Sequence, residues 1–368
     1  MNVEIERFDM AKLAAFSDSV FAKLGVSFED GNSMTKVLLE ADMRSIPSHG
    51  IARLRRLVNA LRDNVIAAHP QEKILKETEN TIVVDADGGM GSAVSTRVMN
   101  RVIEKAKKCN AAFGCVRNSG HFGIAGYYAR MPLEHDMVGI AMTNTAALGV
   151  PTFGRQVMYG TNPFAFAAPA GKEPPFLLDM ATTVVTRGKL EVCEREKRPL
   201  TQGWAVDRNG NYASDPTQTL DDMQTRVGGG ILPLGGLGEE HSGHKGYGLA
   251  VMVDILCALL CNAPFGQEVR DMPRSMARVS HFFGAMRIDA FGDAAMFRSE
   301  MDRMLGELRN SAPAEGQDRV YYAGLKSAES KELALKIGVP LSLNTVEELR
   351  ELAAELGLEF PNPIEATV

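Results

Sequence analysis

Apolar residues recur at helical spacing near the start of the chain. Over residues 7–25 they recur every three or four positions and Gly25 follows, which predicts an amphipathic helix that ends at this glycine. Two further helices are predicted over 33–44 and 52–64. The positions that set the spacing of the first helix are Met10, Leu13, Val20, Phe21 and Leu24.

The middle of the chain changes to short apolar runs that are separated by glycine and proline. Runs of this kind, bounded by turn residues, predict strands. They lie at 81–87, 111–116, 137–146, 162–170 and 174–183. Between the first two runs, valines recur every four residues after Ser92, which predicts a helix capped by that serine.

Glycine-rich loops precede the longest apolar run of the sequence. A turn is predicted at Asn209-Gly210, and a glycine-rich loop over 228–246 opens into the run Tyr247–Cys261. This run is short for a bilayer span and carries Asp254 at its centre. It therefore predicts a buried helix rather than a membrane segment.

Helical patterns at both ends and a sheet-like middle predict an α/β (α+β) architecture. A chain of 368 residues is long enough for two domains. We predict one helix-rich domain from residues 1–117 and 310–368, and a second, sheet-rich domain from residues 118–309 inserted between them.

Composition and charge narrow the class of partner. Hydrophobic residues make up 45% and charged residues 23% of the chain, which is typical of a globular protein. The net charge of -6 argues against nucleic acid or an anionic membrane as the main partner, because either would favour a basic surface. The five cysteines include no CxxC pair, and no signal peptide is recognised at the N-terminus. We therefore expect reduced thiols in a cytoplasmic protein.

The segment 47–53, "PSHGIAR", is the first candidate for chemistry. An imidazole can donate or accept a proton near neutral pH, so His49 is a candidate proton donor, and Ser48 could orient its ring. Arg53 lies about one helical turn further on and could bind a carboxylate at two points. The alternative is a helix-capping serine followed by two surface charges.

The segment 118–126, "NSGHFGIAG", is the second candidate. It places His121 among glycines, and a glycine turn that enters a helix can bring backbone amides close to a phosphate. A tight strand-to-helix connection would show the same pattern. The G-x-G-x-x-G and G-x-x-x-x-G-K-[ST] motifs are absent from the sequence, so neither a Rossmann nor a P-loop assignment has motif support.

Other candidates are weaker. His244 and Lys245 stand between glycines ahead of the apolar run, where they could meet phosphate or a second carboxylate. His241 and His244 match HxxH, but no acidic or cysteine partner accompanies them in a recognisable pattern, so no metal site is predicted. Thr161 and Asp179 lie at ends of apolar runs, a position that suits ligands and ordinary turns alike.

A cysteine–histidine nucleophile pair is a further possibility. Cys115 precedes His121 by six residues, but it lies inside an apolar run. A buried free cysteine is usually unreactive, so the inert interpretation is favoured.

The order of these strings along the chain is more informative than any one of them. In sequence and spacing they resemble the type 2 malate/L-lactate dehydrogenase family, over about residues 5 to 360. The strings that carry the resemblance are "EADMRSIPSHGIARL", "VRNSGHFGIAGYYA", "GTNPFAFAAP", "LLDMATTVVTRGKL", "GWAVDRNGNYASDP", "LPLGG", "GHKGYGLAVMVDIL" and "SHFFGAMRIDAF".

The resemblance implies a fold, an activity and a cofactor. It implies that residues 118–309 form a largely antiparallel, non-Rossmann domain that binds NAD or NADP, and that the helix-rich domain binds substrate and forms a homodimer. The implied activity is the interconversion of a 2-hydroxy acid and a 2-oxo acid. Malate and oxaloacetate are the leading pair, with lactate and pyruvate or sulfolactate as other members' substrates.

The resemblance also assigns residues. It places the proton donor at His49, supported by Ser48, with His121 as a second candidate for proton transfer. It places the contact to the substrate carboxylate at Arg53 and another substrate contact at Thr161. The implied cofactor contacts are His121, Phe122, Gly123, Ile124, Ala125, Asp179, Met180, Ala181, Arg187, His244 and Lys245.

Two positions depart from the family pattern. Some members have an aspartate that completes a Ser-His-Asp relay where this chain has Lys189. The family's C-terminal nucleotide segment usually reads "PGE", whereas this chain has "AGL" at 323–325.

Two other functions remain as alternatives to the dehydrogenase. One is an NADPH-dependent reductase of cyclic imines such as piperideine-2-carboxylate. The other, from outside the class, is a non-redox hydrolase that uses Cys115 and His121. The sequence leaves open the choice between NAD and NADP, the acid, its stereochemistry and the physiological direction.

Overall fold

A computed structural model of the chain describes residues 4–270 and 277–364. Helices and strands alternate along it, with two short 3-10 turns, Pro47–His49 and Ile51–Arg53, before the third helix. The α-helices are α1 (Met10–Lys23), α2 (Phe28–Met43), α3 (Leu54–Arg62), α4 (Gly91–Cys109), α5 (Ala125–Arg130), α6 (Arg187–Arg195), α7 (Pro216–Thr225), α8 (Gly243–Cys257), α9 (Ala294–Arg309), α10 (Leu325–Ile337) and α11 (Leu343–Leu356). The strands are β1 (Ile5–Phe8), β2 (Lys73–Glu77), β3 (Thr81–Asp85), β4 (Ala111–Ser119), β5 (Met137–Thr143), β6 (Phe164–Ala168), β7 (Phe176–Met180), β8 (Ala205–Val206), β9 (Gly230–Ile231), β10 (Val279–Arg287) and β11 (Val339–Ser342).

The largest sheet is mixed but mainly antiparallel. Its strands run in the order β2-β3-β4-β10-β5-β6-β7. The β3–β4 pair is parallel, and β10 lies antiparallel between β4 and β5. Because side chains alternate across a strand, the sheet has two apolar faces that both need cover. The fold is therefore of the mixed α/β class, as the sequence predicts.

Helices cover both faces of this sheet. The valines and Met99 of α4, together with Tyr128 of α5, pack on one face against residues such as Val116 and Phe283. On the other face α8 packs through Val253 and Cys257. Helix α9 covers the end of that same face near β6 and β7. The loop that carries His121 connects β4 to α5, so it lies on the face of the sheet that α4 and α5 cover.

The two chain ends share one hydrophobic core. Strands β1 and β11 pair antiparallel, and residues of α1, α2, α3 and α11 pack together beside them. The predicted boundary at residue 117 falls inside β4, and the seven-stranded sheet takes strands from both sides of it. The boundary at residue 309 coincides with the end of α9. The division into 1–117 with 310–368 and 118–309 stays a prediction.

Three local predictions can be compared with the structure. The first helix ends as expected before Gly25, whose φ of 76° suits glycine. The prediction that Ser92 caps α4 is wrong, because the helix already begins at Gly91 and the Ser92 hydroxyl contacts the Met34 sulfur at 3.3 Å. The turn at Asn209-Gly210 is confirmed by the bond from Gly210 N to Asp207 O, at 3.0 Å.

The apolar run at Tyr247–Cys261 forms α8 and the turn that follows it. The stretch Gly243–Cys261 is long and apolar enough to cross a membrane by length and composition. Asp254 accepts hydrogen bonds from Asn144 and Asn162 in the protein interior, at 3.2 and 3.0 Å. The prediction of a buried helix holds for this face and is wrong for the other, where Ile255 is 45% exposed.

Candidate active site

A hydrogen bond to Asp42 fixes the segment that carries His49 and Arg53. Asp42 lies in the last turn of α2, and its Oδ2 accepts a hydrogen bond from Ile51 N at 2.6 Å. A Cβ at Gly50 would lie 1.8 Å from Asp42 Oδ1, so only glycine lets the two segments approach this closely. Asp42 is 3% exposed, and this burial raises the pKa of its carboxyl to about 7.

Ser48, His49 and Arg53 are brought together as predicted, although not by a regular helix. The two 3-10 turns place them before α3, which begins at Leu54. Ser48 Oγ lies 3.0 Å from His49 Nδ1, and Arg53 Nε donates to Ser48 O at 2.6 Å. Burial and then the positive charge of Arg53 lower the pKa of His49 to about 4, so its imidazole is neutral at pH 7.

His121 comes to the same place from the loop between β4 and α5. Its ring centroid lies 5.4 Å from that of His49. Its Nδ1 accepts a hydrogen bond from Gly123 N at 3.0 Å. Gly123 has a φ of 88°, and a Cβ there would lie 2.3 Å from Val37 Cγ1. The loop therefore depends on glycine at this position to seat the ring.

The pKa of His121 is also lowered. The causes are loss of water around the ring, then its neighbour His49 and the cation Arg53. One side of His121 is open to a cavity, so water still reaches the ring. The lowered pKa keeps the imidazole of His121 neutral at pH 7.

The two histidines face one small cavity, which we call the histidine cavity. Its volume is about 70 Å³, so it suits a small acid and a nucleotide must lie mainly outside it. Its wall combines apolar side chains with two imidazoles and two guanidinium groups. The lining residues are Met34, Leu38, His49, Arg53, Arg56, Leu57, His121 and Gly123.

A second and larger cavity begins at the other end of the loop that carries His121. Its volume is about 280 Å³, and we call it the tyrosine cavity. It is built from the end of α2, the start of α5, β7 and the start of α10. The lining residues are Arg44, Ile46, Ile124, Gly126, Leu177, Asp179, Tyr321, Tyr322, Gly324, Lys326 and Ser327.

Asp179 is the carboxylate of this second cavity. Its Oδ2 accepts a hydrogen bond from Gly126 N at 2.8 Å, and a Cβ at Gly126 would lie equally close to that oxygen. Burial raises the pKa of Asp179 to about 6, while the bond from Gly126 and the charge of Arg44 act against this rise. The carboxylate is therefore mostly ionised at pH 7 and ties α5 to β7.

The predicted cofactor contacts do not all lie at one place: some line a cavity and others are buried. Gly123 lines the histidine cavity, and Ile124 and Asp179 line the tyrosine cavity. Phe122 is buried, and its ring stacks on His281 at a centroid distance of 4.4 Å, so its side chain faces away from both cavities. Ala125 is buried as the first residue of α5.

Met180 and Ala181 lie at the end of β7. Met180 pairs with Phe164 in the sheet, and Ala181 follows the strand directly. Both are half-buried, next to Asp179 but outside the two cavity walls. Their assignment as cofactor contacts stays a prediction.

Four other predicted residues lie outside the walls of both cavities. Thr161 is bonded to Thr145, whose Oγ1 accepts from Thr161 N at 2.9 Å. Arg187 begins α6 and pairs with Glu191 at 2.8 Å. His244 and Lys245 are exposed in the first turn of α8. Their roles in binding stay predictions.

Lys189, at the position of the relay aspartate, does not orient His49. It is exposed on α6, whereas His49 Nδ1 is oriented by the Ser48 hydroxyl.

The structure does not form a Cys115–His121 pair. Cys115 packs between β4 and α8, where its thiol donates to Leu256 O at 3.7 Å. Burial raises the pKa of this thiol to about 12, so it is not a nucleophile at neutral pH. This geometry removes the basis for the hydrolase alternative.

Three contributions to the site were not predicted. Arg56 adds a second guanidinium to the histidine cavity, and its i, i+3 spacing from Arg53 on a basic helix start was a usable signal. Asp42 holds the 47–53 segment, which no local pattern indicates. The tyrosine cavity depends on Lys326, which lies far from the other lining residues in sequence.

Comparisons with known proteins agree on one family. The family described as malate/L-lactate dehydrogenase matches residues 8–350. The malate dehydrogenase of Pyrococcus abyssi is 40% identical over 353 residues, 96% of each chain. The L-sulfolactate dehydrogenase of Methanocaldococcus jannaschii is 35% identical, covering 94% of this chain and 96% of that protein. The crystal structure of malate dehydrogenase from Entamoeba histolytica superposes with a TM-score of 0.92 at 30% identity, covering 98% of this chain and all of the other.

Proposed function

The chain belongs to the malate/L-lactate dehydrogenase family and is an oxidoreductase that acts on a CH–OH group, and on this premise we propose how its site works. We propose that the histidine cavity interconverts a 2-hydroxy acid and a 2-oxo acid with NAD or NADP. The observation that carries this proposal is the convergence of His49, Arg53 and His121 on one small cavity from two separate loops. The reaction needs a proton-transfer group and a carboxylate anchor, and these side chains supply both.

Arg53 binds the carboxylate of the acid. Its guanidinium lines the cavity, while its Nε is already fixed to Ser48 O. A planar guanidinium whose orientation is set by one bond can hold a carboxylate with its remaining N–H groups. A carboxylate bound there also offsets the positive charge that helps to lower the pKa of His49.

His49 moves the proton, through Nε2. Its Nδ1 faces the Ser48 hydroxyl, which can accept a hydrogen bond from Nδ1–H. That arrangement leaves Nε2 free to accept the proton of a substrate hydroxyl in the oxidation, or to return it to a ketone oxygen in the reduction. Neutral His49 is the form that the site favours, so the oxidation begins with the base ready.

His121 serves as a hydrogen-bond donor rather than a proton-transfer residue. Because Gly123 N donates to Nδ1, the neutral ring must carry its proton on Nε2. A second proton could reach Nδ1 only if that bond were broken. The bond therefore favours a neutral imidazole that donates to the substrate oxygen, and it favours His49 over His121 as the acid and base.

The residues between the two cavities fit a nicotinamide dinucleotide. The loop from His121 to Gly126 borders both cavities, and its glycines keep side chains away from the backbone that faces them. When bound, the nicotinamide ring would accept or supply the hydride. The mainly antiparallel sheet supports the proposal that this binding is not of the Rossmann type, which uses a mostly parallel sheet.

The wall of the histidine cavity favours a substrate with two acidic groups. Arg53 and Arg56 both line it, one turn apart at the start of α3. One cation can hold the carboxylate next to the reacting carbon, and the other can hold a second carboxylate or a sulfonate. We therefore propose malate and oxaloacetate as the main pair, with sulfolactate as a related substrate and lactate as a poorer one.

We also propose that the enzyme is a cytoplasmic homodimer. The reduced state expected for its five cysteines supports the compartment, and each is a free thiol in the structure. Exposed apolar side chains at Ile255, Leu259 and Leu260 support a contact between subunits, although they lie outside the helix-rich domain that the family resemblance gives as the dimerisation domain.

The experiment that tests this function follows NADH and NADPH consumption with oxaloacetate, pyruvate, 3-sulfopyruvate and piperideine-2-carboxylate. We expect turnover on the open-chain 2-oxo acids, with oxaloacetate and 3-sulfopyruvate ahead of pyruvate. Activity on the cyclic imine alone would replace the proposal by the imine reductase alternative. Silence with every acid and both cofactors would contradict it.

A further inference from the structure

The tyrosine cavity lies beside a cluster of charges with an excess of cations. Glu40 is buried in α2 and accepts from Arg44 and Lys331 at 2.6 and 2.7 Å, and Arg130 contacts the same carboxylate. Burial alone would raise the pKa of Glu40, but these three cations lower it to about 2. One carboxylate therefore faces three cations, and even with Asp179, which also acts on Arg44, the cations outnumber the carboxylates here.

One of these cations reaches the cavity itself. Arg44 is 7% exposed and lines the cavity wall, and one of its amino groups lies 3.4 Å from the Ser327 hydroxyl. Its Nε is committed to Glu40. The remaining N–H groups of a buried guanidinium need an acceptor, and an anion in the cavity could supply it.

Lys326 adds a second cation at the cavity wall. Its Nζ lies 4.0 Å from the centre of the Tyr321 ring, and both residues line the cavity. Within residues 4–270 and 277–364, no carboxylate lies within ion-pair distance of Lys326. By contrast Lys336, on the same helix, pairs with Glu332 at 2.6 Å.

The carboxylate of the cavity is already engaged. Asp179 accepts from Gly126 N and feels the charge of Arg44. Of the lining residues in the described chain, Asp179 alone is acidic. In Rossmann domains a carboxylate binds the hydroxyl groups of an unmodified ribose and an arginine accommodates a 2′-phosphate, and the same charge chemistry applies at a ribose site in any fold.

We infer that the tyrosine cavity binds the 2′-phosphate of NADP, so the enzyme prefers NADP to NAD. This inference rests on the proposed function for the identity of the nucleotide. Arg44, Lys326 and Ser327 would hold the phosphate through their N–H and O–H groups. The loop from His121 to Gly126 connects this cavity with the histidine cavity, so one dinucleotide reaches both.

A 5′-diphosphate presents the same charge chemistry, and the test must separate the two. Calorimetry on the full chain compares adenosine 2′,5′-bisphosphate, ADP and AMP. We expect adenosine 2′,5′-bisphosphate to bind about tenfold more tightly than AMP, the factor that one charge-assisted hydrogen bond is worth. Tighter binding of ADP than of the 2′,5′-bisphosphate would assign the cavity to the 5′-diphosphate and overturn the inference.

Lys326→Met is the informative variant, and Lys336→Met is its matched control. Both remove one positive charge from α10, but only the first lies at the cavity. We expect Lys326→Met to remove most of the advantage of the 2′,5′-bisphosphate over AMP, and to raise the KM for NADPH but not for NADH. Equal effects of the two variants would overturn the inference.

The outcome for the proposed function can be read separately. Tight binding of adenosine 2′,5′-bisphosphate without turnover of any 2-oxo acid would contradict the proposed dehydrogenase activity and would still support the phosphate site. Turnover on oxaloacetate with equal use of NADH and NADPH would do the reverse.

Discussion

His49 and His281 both have pKa values that are lowered first by burial, yet only His49 can act on a substrate. Burial lowers the pKa of His281 to about 3 and that of His49 to about 4. His281 lies within the sheet, and both of its ring nitrogens are hydrogen-bonded. Nδ1 lies 2.8 Å from Thr143 Oγ1, and Nε2 lies 2.9 Å from Ser119 Oγ. His49 is bonded at Nδ1 alone and lines a cavity.

The difference shows that a displaced pKa does not identify a catalytic group. Both nitrogens of His281 have partners, so its ring has no capacity left for a substrate. At His49 one nitrogen remains available, and a guanidinium stands beside it to bind an acid. Availability to the cavity, and not the pKa, separates the catalytic candidate from the structural histidine.

The largest effect is expected when His49 is removed. His49→Ala should lower kcat by about 10²–10⁴-fold, the usual contribution of a general acid or base, while nicotinamide nucleotide binding is retained. Steady-state kinetics with oxaloacetate and fluorescence titration of the reduced cofactor would measure the two quantities. The control is His69→Ala, because His69 is exposed and lines neither cavity. Near-normal turnover in His49→Ala would transfer the proton step to His121.

Arg53→Met should act mainly on substrate binding. Losing the charge-assisted bonds to a carboxylate is expected to raise KM for the acid by about 10–100-fold. Initial rates over a range of acid concentrations would measure this. Arg55→Met is the matched control, since Arg55 lies two residues further on and pairs with Glu355 instead of facing the cavity. Equal effects of the two variants would remove Arg53 from its assigned role.

The same variant tests the charge coupling to His49. In the oxidation His49 must be neutral, so kcat/KM should fall as the pH drops through the pKa of the free enzyme, about 4 rather than the ordinary value near 6.5. Arg53→Met removes the second cause of the low pKa, and the acid limb should move upward. A limb at the same pH in both proteins would contradict the coupling.

Asp42 should have a smaller, positional effect. Asp42→Ala leaves Ile51 N unpaired and releases the 47–53 segment, so kcat should fall by about tenfold. Asp42→Asn keeps an acceptor for Ile51 N and should recover most of this loss. Kinetics of both variants would decide, with cofactor affinity as the control for folding. Equal losses in the two variants would show that charge, not position, is what Asp42 supplies.

Much of the histidine cavity was predictable from short strings of sequence. Ser48, His49 and Arg53 are close in the chain, so any compact turn brings them together. His121 could be suspected from the glycines around it, because Gly123 has to adopt a positive φ. Five strands of the large sheet, β3 to β7, also followed from apolar runs bounded by glycine and proline, whereas β2 and β10 were not predicted.

The rest depends on contacts between distant segments. Asp42 reaches Ile51 across a turn, and Lys326 joins Arg44 over nearly three hundred residues. No local period encodes such pairs, since tertiary packing alone decides them. Ser92 failed as a helix cap for a related reason: its hydroxyl is buried against Met34 of α2.

The smallest effect on turnover is expected at His281, where stability should change instead. His281→Phe keeps an aromatic ring beside Phe122 but removes two hydrogen bonds, which should cost about 1–3 kcal/mol of unfolding free energy. Turnover should stay within about twofold, since neither nitrogen serves the cavity.

In the folded protein His281 stays neutral down to about pH 3, whereas in the unfolded chain it is protonated below about pH 6.5. The free energy of unfolding of the wild type should therefore decrease as the pH drops from about 6.5 toward 3, and His281→Phe should lack this contribution to the pH dependence. Denaturant titrations at pH 7 and pH 5 would measure both terms. A hundredfold loss of kcat without loss of stability would mean that His281, and not His49 alone, belongs to the catalytic group.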